Sequence, residues 1–333
     1  MNKLTLIAYL LLSALFICTG CDKEANDEAE ESTKSPYIEG LSIDNYPVID
    51  GSTSTLPLNT VIACELMGLH YQWLESPSLL WDITPQIQSE NLKRKFNNVV
   101  RSSQTHNSFI SLIDGEADLV LSARTMSPDE KKYAETKGVT LIETPVALDA
   151  FIFIIHPQNP IEALSTQAIQ GIYTGKVTEW QELGWLPVWY GGRTNIQPFV
   201  RDPNSGSQEL MDLLVMKDLV YFSGSLLVYA DRQITSMIGL VNAIADMPIS
   251  IGYTIYYYNE YIVRNGNNVK TLGIDGVQPT PQTISDRSYP YATDVYAVLR
   301  SDTDKSSMTY AIYAWLQTEA GRQVISKSGY LLN

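Results

Sequence analysis

The chain has 333 residues, 44% of them hydrophobic, and its 37 acidic against 23 basic side chains leave a formal net charge of −14. That balance excludes nucleic acid as a partner, since gripping a phosphate backbone takes clustered Lys and Arg. A small anion is not excluded, because local donors act at hydrogen-bond range while distributed surface charge is screened beyond about 8 Å at physiological ionic strength.

Met1-Asn2-Lys3, an apolar run over residues 4–17 and then Cys18-Thr19-Gly20-Cys21 have the layout of a secretory signal peptide. The run is too short for a comfortable membrane span. A Cys directly after Thr-Gly resembles a bacterial lipobox, with Cys18 standing where Leu is usual. Residues 1–20 are therefore expected to be removed and Cys21 to be lipidated, which puts the protein on the periplasmic face or the surface of a bacterial membrane. Residues 21–40 are acidic and poor in apolar side chains, and read as a disordered tether. Of the three cysteines only Cys64 belongs to the folded body, where its apolar neighbours predict a buried inert thiol.

The body, roughly 290 residues, is long enough for two lobes with a core each. It opens on Tyr46-Pro-Val-Ile-Asp50, a short apolar strand that runs into Gly51-Ser52-Thr53-Ser54-Thr55-Leu56-Pro57. A helix is predicted next, with Leu58, Val61, Ile62, Leu66 and Met67 on one face. Strand-like runs follow at residues 118–122, 150–156, 196–200, 251–255 and 289–299, and helical patterns at 166–173, 208–216, 235–245 and 308–326. Such alternation implies an α/β fold.

The most informative stretch is Arg201-Asp-Pro-Asn-Ser205-Gly206-Ser207. Ser205 is a good N-cap, Gly206 lets a ligand approach the backbone, and Leu210, Met211, Leu213 and Leu214 continue as an amphipathic helix. The first N–H groups of a helix lack intrahelical partners and carry the positive end of its dipole, while Arg201 adds a planar fork suited to two anion oxygens. An ordinary Ser-capped helix would read the same way. The second Gly/Ser/Thr loop at residues 51–55 tips the balance towards two helix starts facing one anion across a cleft.

Catalysis has less support. His70, His106 and His156 have no metal-ligand spacing, and Ser205 lacks the preceding glycine of a nucleophile elbow. No cofactor and no metal are expected. A sugar-binding surface is the other alternative, prompted by Tyr253, Tyr256, Tyr257, Tyr258, Trp185, Trp189 and Tyr190, although such rings are more often packing residues.

From about Asp50 to Leu332 the chain resembles the PstS family of phosphate-binding receptors. The resemblance rests on Asp50-Gly-Ser-Thr-Ser-Thr-Leu-Pro57, on residues 112–118 leading to Ser122-Ala-Arg124, on Asn159-Pro160, and on residues 172–180. It continues through residues 201–207, Tyr289-Pro290 and residues 315–323. It implies a type II periplasmic-binding-protein fold, two α/β lobes joined by hinge strands with the ligand cleft between them. Lobe 1 would hold residues 41–148 and 289–333, and lobe 2 residues 149–288. It also implies a monomer that hands inorganic phosphate to an ABC permease. The ligand residues carried over are Thr55, Leu56, Thr105, Arg201, Ser205, Gly206 and Ser207, with Ser54, His106 and Arg124 as further candidates. Arg124 is read as an anion contact, a cross-cleft salt bridge or a surface charge. Some members place an Asp where this chain has Ala123, a carboxylate that accepts the proton phosphate carries and sulfate lacks. Sulfate, molybdate and tungstate therefore stay open, with a hydroxyl or another carboxylate such as Asp202 or Glu209 left to discriminate among them.

Overall fold

The computed structural model describes residues 34–187, 194–223, 236–264 and 268–332. The expected signal peptide, Cys21, Trp189 and Tyr190 lie outside them.

In chain order the elements begin with β1 (Ile49–Gly51) and α1 (Leu56–Met67). A hairpin of β2 (Tyr71–Glu75) and β3 (Trp81–Pro85) follows, then α2 (Glu90–Val99), α3 (Thr105–Asp114), β4 (Leu119–Ser122) and α4 (Pro128–Lys137). The long strand β5 (Leu141–Ile155) leads to β6 (Ala163–Leu164), α5 (Thr166–Tyr173), β7 (Gln197–Pro198) and α6 (Gly206–Leu210), which runs on as a π-helical segment over Met211–Met216. Then come α7 (Met237–Ala245), β8 (Ser250–Ile255), β9 (Lys270–Thr271), β10 (Gly273–Ile274) and α8 (Pro281–Ser285). The chain finishes with β11 (Ala292–Arg300), α9 (Met308–Trp315) and α10 (Glu319–Lys327).

The main sheet has the order β1-β4-β11-β5-β8-β7, with β9 also on β5. β5 organises it by changing partner. From Leu141 to Ala150 it pairs antiparallel with β11, and from Phe151 to Ile155 it pairs antiparallel with β8. β1 lies parallel to β4 on one side of that change, and β7 parallel to β8 on the other. Burial follows the same division. The start of β5 is half exposed, whereas every residue from Val146 to Ile155 is buried, as expected of a strand covered on both faces.

The sequence expectation for α1 differs from the structure in a telling way. Ten of its twelve residues are buried, on all sides and not along one stripe, so it is a core helix. Asn59, polar within that helix, donates from Nδ2 to the Ile49 carbonyl at 2.8 Å. Cys64 is fully buried there and burial pushes its thiol up to about 12, the inert state expected. The stretch at 308–326 is two helices, because Thr318 accepts from the Gly321 N–H and starts α10 afresh. Gly321 is forced by that corner, since a Cβ there would sit 2.2 Å from the Trp315 carbonyl oxygen. Of the rings considered for a sugar platform, Tyr253, Tyr257, Tyr258 and Trp185 are buried core residues and Tyr256 is half-buried. Tyr257 stacks on Tyr330 with ring centroids 3.8 Å apart, and its hydroxyl donates to the Ser328 carbonyl.

Candidate functional site: a donor-lined cavity

The loop after β1 is shaped by close packing against β4. A Cβ on Gly51 would lie 2.4 Å from the Leu121 carbonyl oxygen, so only glycine lets the two strands meet here. The backbone then turns through Ser52 into a single 3-10 turn, Thr53–Thr55, before α1 begins. That turn shifts the cavity-facing segment towards the N-terminus. Ser52, Thr53 and Ser54 line the cavity, whereas Thr55 and Leu56, the positions expected from sequence, do not. The Thr55 hydroxyl instead reaches the carbonyls of Leu121 at 2.7 Å and Ser52 at 3.0 Å, and its amide also bonds to Ser52. Thr55 holds the loop in place from behind.

Thr105 starts α3 after Gln104, whose φ of 75° turns the chain sharply into the helix. Its hydroxyl donates to Ser52 Oγ at 2.9 Å, and Ser52 Oγ also accepts from the Ala123 N–H at 3.1 Å. Three separate segments are thereby tied at one buried serine. Ala123 lines the cavity and presents only a methyl group.

The opposite wall comes from residues 201–207. Ser205 caps α6 by accepting from the Gln208 N–H at 3.2 Å. Ser207 Oγ accepts from Arg201 Nη1 at 2.7 Å. The Arg201 amide donates to Gln208 Oε1 and to the Tyr253 hydroxyl, each at 3.0 Å, and Tyr253 in turn donates to Gln208 Oε1. A network of buried polar groups with mutual partners rigidifies what it holds. Burial lowers the Arg201 pKa, with Tyr253, Tyr258 and Asp202 opposing that shift; a guanidinium remains charged throughout. Met237 and Ile255 close the apolar side.

Between these walls lies a cavity of about 30 Å³, counted at the centres of water-sized spheres. About 10–15 Å³ on that measure admits one water, so the space suits an anion of a few heavy atoms. The walls touch: a Cβ on Gly206 would come within 2.4 Å of Thr105 Oγ1. Of the residues singled out from sequence, the cavity brings together Ser54, Thr105, Arg201, Ser205, Gly206 and Ser207. It adds Ser52, Thr53, Gln104, Ala123, Met237 and Ile255.

Arg124 and His106 belong to a neighbouring cluster instead. Arg124 is buried and forms a two-pronged pair with Glu130, both contacts at 2.8 Å. Glu130 is fully buried, caps α4 through the Ser127 amide, and lies 3.0 Å from His106 Nδ1. Arg124 is thus neither a surface charge nor part of the cavity lining. Burial raises the pKa of Glu209, in the first turn of α6; Arg124 lowers it, and the charges of Asp129, Glu130 and Asp212 raise it further. Asp202 is exposed. Among the described residues no group of His, Cys, Asp or Glu has the arrangement of a metal site, and no helix is long and apolar enough to cross a membrane.

The family model for the PBP superfamily domain matches residues 78–318. Among curated proteins, the phosphate-binding protein PstS of Pseudomonas aeruginosa is 24% identical over 257 residues, 73% of this chain and 77% of that protein. PstS of Borreliella burgdorferi is 24% identical over 196 residues, 57% of this chain and 65% of that protein. Among solved structures, a putative phosphate ABC transporter substrate-binding protein with bound phosphate from Clostridium perfringens superposes with a TM-score of 0.60 at 21% identity. It covers 86% of this chain and 99% of its own. An ABC-type phosphate transport receptor from Vibrio cholerae gives 0.57 at 19% identity, over 86% and 100%. These likenesses identify a type II periplasmic-binding-protein fold, in agreement with the α/β sheet and its partner-switching central strand.

Proposed function

This chain belongs to the PBP superfamily, and we propose that within it the protein is an extracytoplasmic solute-binding lipoprotein that captures inorganic phosphate and delivers it to an ABC permease. The carrying observation is that Arg201, Ser52, Ser54, Thr105, Ser205 and Ser207 line one small cavity. The names of the relatives support the choice of phosphate. Binding here is desolvation of the anion offset by hydrogen bonds from prearranged donors. The hydroxyls bond to one another, to Arg201 and to backbone N–H groups, an arrangement suited to holding an anion and not to activating a nucleophile.

In this reading lobe 1 comprises residues 41–148 and 289–333 and lobe 2 residues 149–288. The change of partner along β5 between Ala150 and Phe151, and the start of β11 at Ala292, support crossings at those points. The anion binds one wall, and rotation about the crossings brings the second wall onto it. Cys21 carries the lipid and residues 21–33 form the tether, a proposal that rests on the sequence alone; residues 35–40, expected to belong to that tether, pack on the body instead, with Tyr37 against Trp315 at 5.4 Å between ring centroids and Ile38 on the core.

Titration of phosphate into protein stripped of bound anions tests this function. The expected result is saturable binding that Arg201→Ala weakens by about 2–5 kcal/mol, the range for removing one partner of a buried charge contact. Unchanged affinity in that variant would remove Arg201 from the site.

A further inference from the structure

Resting on the oxyanion reading above, we infer that Thr105 is the residue that distinguishes a protonated oxyanion from a fully deprotonated one. The basis is the direction of the hydroxyls. A serine or threonine hydroxyl has one proton and two acceptor positions. Ser52 Oγ accepts from both the Thr105 hydroxyl and the Ala123 N–H, so its acceptor positions are filled and its own proton is available to a ligand. Ser205 and Ser207 accept from the Gln208 N–H and from Arg201 Nη1 respectively, and each likewise keeps its proton to donate. Thr105 is the opposite case. Its proton is already given to Ser52, so Oγ1 offers lone pairs only. That oxygen faces the second wall, against Gly206.

No side chain among the described residues lining the cavity is a carboxylate, and position 123 carries a methyl. Hydrogen phosphate satisfies this set, placing bare oxygens on the donors and its P–O–H on Thr105. Sulfate has no proton to give and sets a bare oxygen against the Thr105 lone pairs, unless Thr105 withdraws its proton from Ser52. Because the acceptor is a neutral hydroxyl that can turn, discrimination is moderate. A preference for phosphate of about tenfold is expected, the scale of one hydrogen bond lost or rearranged.

The experiment is calorimetric titration of phosphate and sulfate at about pH 8, where phosphate keeps one proton, into the protein and its Thr105→Val, Thr105→Ser and Glu209→Gln variants. Thr105→Val should bring the two affinities to within about twofold, chiefly by weakening phosphate, while Thr105→Ser and Glu209→Gln keep the original ratio. A ratio in Thr105→Val equal to that of the unmodified protein would overturn the inference. So would collapse of the ratio in Glu209→Gln, which would give the acceptor role to that carboxylate. Phosphate binding in the unmodified protein separates these results from failure of the oxyanion reading; binding of neither anion would overturn that reading and the inference with it.

Discussion

Gly206 shows how one residue joins the two walls. The space where its Cβ would stand is taken by Thr105 Oγ1, 2.4 Å away, so any side chain at 206 props the walls apart. Gly206→Ala should therefore weaken anion binding by about 1–3 kcal/mol, the usual range for overpacking, while the thermal unfolding midpoint stays close to its original value. Titration and a melting curve on the same sample check both halves of that expectation. The motif around Gly206 was legible because Arg201, Ser205, Gly206 and Ser207 are close in sequence and their types alone suggest an anion grip. Ser52 was not. Its importance comes from partners 53 and 71 residues away, and sequence spacing carries no sign of such contacts. Thr55 offers a hydroxyl by its type, but the 3-10 turn at Thr53–Thr55 directs that hydroxyl to the Leu121 carbonyl.

At the scale of elements, α4 is held by its own N-terminus. Ser127 and Glu130 form a reciprocal capping box, and the same Glu130 pairs with buried Arg124, whose guanidinium also lies 5.5 Å from the centre of the Phe109 ring. One carboxylate thus fixes a helix start and neutralises a buried cation. Glu130→Ala leaves that cation uncompensated and should cost about 3–5 kcal/mol of stability, measured by denaturant unfolding. Arg124 and Glu130 are only six residues apart, but their burial is supplied by the surrounding fold, so sequence spacing does not choose among the roles open to Arg124. The α5 helix was legible to the residue because Ser165 caps it and its apolar spacing is regular. The opening residues of β5 and the hairpin of β2 and β3 were not. They are mixed in polarity and only half buried, so their strand form depends on partners supplied by the fold.

Over the whole molecule, the two halves share β5, and the point of exchange holds a buried acid. Asp149 accepts from the Ala150 and Tyr257 amides through Oδ1, while its Oδ2 has no hydrogen-bond partner among the described residues. Its register partner on β11 is Thr293, whose buried Oγ1 is in the same condition. Desolvation raises the Asp149 pKa to about 7, against the two amide bonds that lower it. A carboxyl raised in the folded state keeps its proton where the unfolded chain has lost it. Its contribution is therefore fully present below about pH 4 and declines as pH rises through about 7, by an amount on the order of a few kcal/mol. Asp149→Asn should remove that slope and make the protein more stable than the original at about pH 8. Parallel unfolding series from acid to mildly alkaline pH would reveal it, and identical slopes would show that Asp149 ionises as freely in the fold as outside it.

A crystal structure grown with phosphate shows whether the cavity between residues 52–54 and 201–207 holds a tetrahedral oxyanion. The expected density is one anion within hydrogen-bond distance of Arg201, Ser52, Ser205 and Ser207, with Thr105 Oγ1 against one of its oxygens. An anion seated elsewhere, or this cavity filled by water at saturating phosphate, would contradict it.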